Sequence, residues 1–228
     1  QPDHVVAGGP LPDHPVEALR GWGRTAPTAS RVVHAHGAAD IERAISTPPP
    51  RGIIGRGLGR SYGDASQNAG GVVIDTSGGG EFTLDPTTGI VTASAGASID
   101  ELLRGLVPWG WFVPVTPGTR YVTVGGAIAA DIHGKNHHHA GSFGNHVRSF
   151  RLALPGGEVR DVSPDNDPAL FWATTGGMGL TGVILDATFQ CPAIPSSRLA
   201  VDTDRTTDLD DVLQRMTERD HEYDYSVA

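Results

Sequence analysis

The stretch TPGTRYVTVGGAIAADIHGKNHHH, Thr116 to His139, decides the reading, together with the earlier loop GRGLGRSYGDASQN, Gly55 to Asn68. Both are glycine-rich, and both carry Arg, Ser, Thr or Lys among the glycines. Glycine lets a main chain approach a ligand closely, and bare N–H groups then point at its oxygens. Two such loops predict a phosphate-bearing cofactor held between two parts of one domain. A third cluster, Thr174-Thr175-Gly176-Gly177-Met178-Gly179-Leu180-Thr181-Gly182-Val183-Ile184, leads into an apolar strand whose backbone could pair with a flat heterocycle; a plain turn is the equal alternative.

The chain has 31 glycines among 228 residues, about twice the usual share. They follow no period, so they read as loops and turns of a globular protein. The net charge of −9 argues against nucleic acid as a partner. A single cysteine, Cys191, rules out an internal disulfide and a cysteine zinc site. No stretch approaches a membrane span and no signal peptide is visible, which predicts a cytoplasmic protein by sequence.

Residues 1–15 read as a flexible lead. Strands are expected at Ser30–Ala35, Gly71–Asp75, Ile90–Ala93, Trp111–Val115 and Leu180–Phe189, and Gly52–Gly55 is a short apolar run ending at the first loop. Ser149–Leu154 and Glu158–Val162 read as a hairpin about Pro155-Gly156-Gly157. Ala38–Ser46 reads as a helix stopped by prolines. Ser98 and Glu101 form a capping box before the apolar positions Leu102, Leu103 and Leu106. Leu170–Trp172 reads as a short helix and Asp208–Arg219 as a longer one, with a strand at Tyr223–Ala228. The mixed order makes the class α+β. Residues 16–194 are expected to form the cofactor domain, and 195–228, acidic and glycine-poor, are expected to begin a second, incomplete domain. Trp22, Trp109, Trp111 and Trp172 are expected in the core.

The first loop is not a dinucleotide fingerprint, because Gly55-Arg56-Gly57-Leu58-Gly59 runs into polar sequence without a helical stripe. It is not a Walker loop, because no G-K-[ST] closes it. The bland alternative is a surface turn, which its arginines, serine and tyrosine argue against. In the second stretch Thr123-Val124-Gly125-Gly126 opens a short apolar helix, whose N-terminus suits an anion. Tight helix packing is the alternative. His133, His137, His138, His139 and His146 crowd together but lack metal-ligand spacing, so no metal is expected. His133-Gly134-Lys135-Asn136 offers an imidazole, a cation and an amide, groups suited to orienting a polyol beside a redox ring; a hydrogen-bonded structural histidine is the alternative.

With GWGRTAP at Gly21 to Pro27, these motifs resemble the vanillyl-alcohol-oxidase (PCMH-type) flavoprotein family. The closer likeness is to its branch that oxidises the 2′-hydroxyl of decaprenylphosphoryl-β-D-ribose, and it covers about Gly21 to Thr188. The resemblance implies two α+β subdomains with FAD between them, followed by a substrate domain. It implies that Ile54, Gly55, Arg56, Gly57, Leu58, Gly59, Arg60, Ser61, Tyr62, Gly63 and Asp64 wrap the FAD pyrophosphate. Gly118, Thr123, Val124, Gly125 and Gly126 would close over it. His133, Gly134, Lys135 and Asn136 would sit by the isoalloxazine and the sugar, with His133 and Lys135 catalytic, and Ile184 would meet the nucleotide through its backbone. Arg60 stands where covalent members carry histidine, which implies non-covalent FAD. The resemblance further implies a polyprenyl-phosphate sugar substrate, an NADH-dependent ketoreductase partner subunit, peripheral membrane contact through the lipid, and a cell-envelope or periplasmic place. Its product would lead to the arabinose donor for cell-wall arabinan. An alditol or aldonolactone oxidase of the same fold and a non-catalytic FAD-binding module are the alternatives.

Overall fold

A computed structural model describes residues 14–228. The lead expected at 1–15 lies outside the described residues except for its last two positions. Two sheets organise the chain. The first contains β1 (Val16–Leu19), β2 (Thr28–His34), β3 (Ile53–Arg56) and β4 (Val72–Asp75), in the order β1-β2-β4-β3. Strands β2, β4 and β3 run parallel, and β1 is antiparallel to β2. Val72, Val73 and Ile74 are all buried, as expected of a central parallel strand covered on both faces. Helix α1 (Ala38–Ile45) makes the crossover from β2 to β3, burying Ile41, Ala44 and Ile45.

The second sheet is antiparallel: β5 (Phe82–Leu84), β6 (Ile90–Ser94), β7 (Val147–Ala153), β8 (Val159–Val162) and β9 (Val183–Gln190), ordered β5-β6-β9-β7-β8. Its inner face packs on α2 (Ile99–Leu106), α3 (Val124–Ala129) and α5 (Pro168–Thr174). Phe150 stacks on Phe171 at 5.2 Å, and Phe143 meets Phe189 at 5.3 Å. The pairing register slips between Arg151–Asp186 and Leu152–Ile184. That bulge puts one extra residue into β9, so Ile184, Ala187 and Phe189 share the inner core. Val183 and Leu185 instead join the core of the first sheet, with Ala153, Val33 and Ile74. The two sheets are thereby packed against each other through one end of β9.

Ser98 caps α2 as expected: its Oγ accepts from the Glu101 N–H, and the Glu101 carboxylate accepts from the Ser98 N–H at 2.8 Å. Three strand expectations need correction. Trp111–Val115 forms no strand; only Trp111 bridges to Ala193. Pro114 has no N–H for a ladder, and its carbonyl is taken by Asn136 Nδ2 at 2.8 Å. Tyr223–Ala228 has no strand partner, and Ser226 N–H donates instead to the Lys135 carbonyl. β9 begins at Val183 rather than Leu180, because Leu180 sits in a turn. The tryptophans also depart from expectation: Trp22, Trp109 and Trp172 are exposed, and only Trp111 packs partly against the core. From 195 onward the chain is mostly exposed, α4 (His137–Ala140) touches its end, and α6 (Leu209–Arg219) buries no residue.

Candidate functional site

Between the sheets lies a cleft of about 540 Å³, within the range of small-molecule sites. One wall is the loop that leaves β3, from Gly55 to Ser66. That loop is shaped from behind. Gly21 and Gly23 press against it so closely that a Cβ would lie 2.1 Å from the Gly63 carbonyl or 2.3 Å from that of Tyr62. Trp22 N–H donates to Ser61 O at 2.7 Å. Gln67 reaches Thr28 and Gly21, and Asn68 Nδ2 donates to the Gly52 carbonyl, stapling the loop's exit to the first sheet. Arg56 acts from within: its guanidinium donates to Ser66 Oγ and O and to the Arg20 carbonyl. Burial holds its pKa below the usual arginine value. The N–H groups of Gly57 to Asp64, held in this frame, meet no acceptor among the described residues. A run of unspent N–H donors on a cleft wall is a site for anionic oxygens.

The opposite wall comes from Ala95, Thr123, Gly125 and Gly126, then Ala129 and Ala130 at the far end of α3. Here the expectation of an anion at the helix N-terminus is corrected. All the first-turn donors are occupied: Val124 N–H by Ala97 O, Gly125 by Ala95 O, Gly126 by Thr123 Oγ1, and Ala127 by Thr123 O. The glycines serve close approach instead. A Cβ on Gly57 would lie 2.2 Å from Thr123 Oγ1, and one on Gly125 would lie 2.9 Å from Ala95 Cβ. The third cluster closes the cleft by docking on α3, with Gly176 N–H on Ile128 O and Met178 N–H on Ala129 O. Met178 lines the cleft with a positive φ of 53°.

The expected residues divide. Gly55 to Asp64, Thr123, Gly125, Gly126 and Ile184 line the cleft. Ile54 and Val124 are on its elements but are buried in the cores. Gly118 is exposed, with nothing within 4 Å of where a Cβ would stand. His133, Gly134, Lys135 and Asn136 lie beyond Ile132, the last lining residue of that stretch. Gly134 packs on the Thr116 backbone, Lys135 N–H donates to Thr116 O, and Asn136 is buried, tying to Pro114. Asn136 therefore helps hold the loop's shape. His133 and Lys135 are exposed. Ala95, Thr76, Met178, Gly179 and Gly182 also line the cleft. The glycine cluster at 174–184 signalled the last three, while nothing in the sequence marks Ala95. Among the described residues no group of three or more His, Cys, Asp or Glu side chains is placed to hold a metal.

A cleft between two α+β layers, walled by glycines and unspent N–H groups, defines a nucleotide-cofactor domain, and residues 29–163 match the FAD binding domain family. The chain belongs to that family, and the bare loop wall fits the diphosphate of FAD. It is 49% identical over 216 residues to the decaprenylphosphoryl-beta-D-ribose oxidase of Mycolicibacterium smegmatis, covering 92% of this chain and 47% of that one. It is 31% identical over 215 residues to cytokinin dehydrogenase 5 of Oryza sativa subsp. japonica, covering 83% of this chain and 39% of that one. With the FAD-linked oxidoreductase hasG of Aspergillus fumigatus the identity is 28% over 181 residues, 76% of this chain and 38% of that one. The chain spans less than half the length of each of these relatives.

Proposed function

We propose that this chain is the FAD-binding part of an oxidase that converts the 2′-hydroxyl of decaprenylphosphoryl-β-D-ribose to the ketone. The observation that carries the reading is the 49% identity across 92% of the chain, which takes in all three glycine clusters. Bound FAD supplies the hydride acceptor. The loop from Gly55 to Asp64 holds its diphosphate through backbone N–H groups. Thr123, Gly125, Gly126 and Ile184 set the facing wall. His133 and Lys135 orient the sugar at the cleft's end, the imidazole toward the reacting hydroxyl and the ammonium as a fixed charge beside it. FAD binds without a covalent bond: no histidine or cysteine lines the cleft among the described residues, and Arg60 is engaged with Leu58 O and the Trp22 ring. The keto sugar passes to an NADH-dependent ketoreductase partner, which returns it with inverted configuration as the arabinose donor for cell-wall arabinan. The lipid substrate brings the protein to a membrane surface, although no helix among the described residues is long and apolar enough to cross one.

The test is anaerobic stopped-flow absorbance of the flavin-loaded protein. Bleaching by a polyprenylphosphoryl ribose supports the reading. Bleaching only by a free alditol or aldonolactone assigns the chain to an oxidase of soluble sugars. No bleaching by either makes it a flavin-binding module.

A further inference from the structure

One member of the histidine run makes a contact the cleft does not use. His138 turns toward the C-terminal segment, with Nε2 2.9 Å from the Tyr223 carbonyl oxygen. A carbonyl only accepts, so this nitrogen carries a proton and donates. The other nitrogen, Nδ1, is buried, has no hydrogen bond among the described residues, and faces Asp220 Oδ2 at 3.5 Å. Asp220 in turn accepts from Ser226 Oγ. The Ser226 N–H donates to the Lys135 carbonyl at 3.0 Å, while the Lys135 N–H donates to the Thr116 carbonyl at 3.1 Å. The backbone of Lys135 is thus held on both sides. On one side stands the segment that follows Pro114; on the other lies a strap, residues 220–226, anchored at His138.

We infer that His138 is a positioning residue for Lys135. It seats the strap whose Ser226 fixes the Lys135 carbonyl, and so fixes the direction in which the lysine stem leaves the loop. With the strap lifted, the Lys135 carbonyl is free to turn, and the direction in which the lysine stem leaves the loop is no longer set. The inference rests on the reading of Lys135 as a group that faces the sugar.

The test compares His138→Ala and His138→Gln in the flavin-loaded protein. Amide hydrogen exchange is read by NMR at Ser226 and Lys135, beside flavin content and the anaerobic rate of flavin reduction. The alanine variant is expected to exchange Ser226 roughly tenfold faster, the scale of one lost hydrogen bond. Lys135 is expected to follow, with flavin content unchanged. Its maximal reduction rate is expected to fall roughly tenfold, as a misplaced group costs, with little change in the half-saturating sugar concentration. Glutamine can donate to the same carbonyl and is expected to restore both readouts, which simple loss of packing would not. Wild-type exchange at Ser226 in the alanine variant overturns the inference, as does fast exchange at Ser226 with Lys135 unchanged. If the sugar fails to reduce even the wild-type flavin, the proposed reaction fails, and the exchange rates alone decide the strap.

Discussion

At the scale of single residues, the glycines divide by what surrounds them. Gly57 is fixed by Thr123, since a Cβ there would lie 2.2 Å from Oγ1. Gly57→Val is expected to push the loop off α3 and abolish flavin retention, read as the ratio of visible to ultraviolet absorbance. Gly118→Ala meets open space and is expected to keep full flavin, so full occupancy in the valine variant would make the loop an ordinary turn. His133→Ala and Lys135→Ala lie outside the cleft lining and should also keep flavin. Their rate of flavin reduction by sugar is expected to fall by ~10²–10⁴-fold, the usual contribution of an acid–base or orienting group. Wild-type bleaching in both would remove them from the chemistry. Cys191 is buried, and desolvation pushes its thiol up to about 12. It is expected to resist a thiol-specific disulfide reagent in the native protein and to react fully once unfolded.

At the scale of elements, α2 was the most legible, because a capping box and its apolar stripe are local signals. Ser98→Ala removes the acceptor for the Glu101 N–H and is expected to lower unfolding stability by about 1 kcal/mol, measured by urea denaturation. The strands β1 and β5 leave no pattern in the sequence because each is a short edge strand of four or three residues, too brief to show a period. Trp111–Val115 is the opposite case: it is apolar enough for a strand, yet apart from the single Trp111–Ala193 bridge it has no ladder partner among the described residues. The β1–β2 pair also carries a pH-sensitive contact. The hydrogen bond that His34 Nε2–H donates to the Glu17 carboxylate, with the charge of Asp75 nearby, raises the His34 pKa above 6.5. Its stabilising contribution is complete below 6.5 and is lost as pH rises through the higher folded value. The pair is half-exposed, so the effect is small. His34→Gln is expected to lower the urea midpoint at about pH 5.5 and to leave it unchanged at about pH 8.5. An equal loss at both would show that the ion pair contributes nothing.

At the scale of the whole molecule, the glycine clusters were visible in the sequence but their partners were not. That Gly125 packs on Ala95, that α3 spends all its first donors within the protein, and that Asn136 props Pro114 are facts of long-range packing. The bulge in β9 is another: it lets one strand serve two cores and so sets the sheets face to face around the cleft. The central claim is that this cleft holds FAD without a covalent bond. It is tested most directly by denaturing the purified protein with acid and passing it through a filter that retains the polypeptide. The expected result is yellow colour with the FAD spectrum in the filtrate and a colourless retained protein. Flavin retained with the polypeptide would contradict the non-covalent reading, and protein that carries no flavin and takes up none when FAD is added would contradict the site itself.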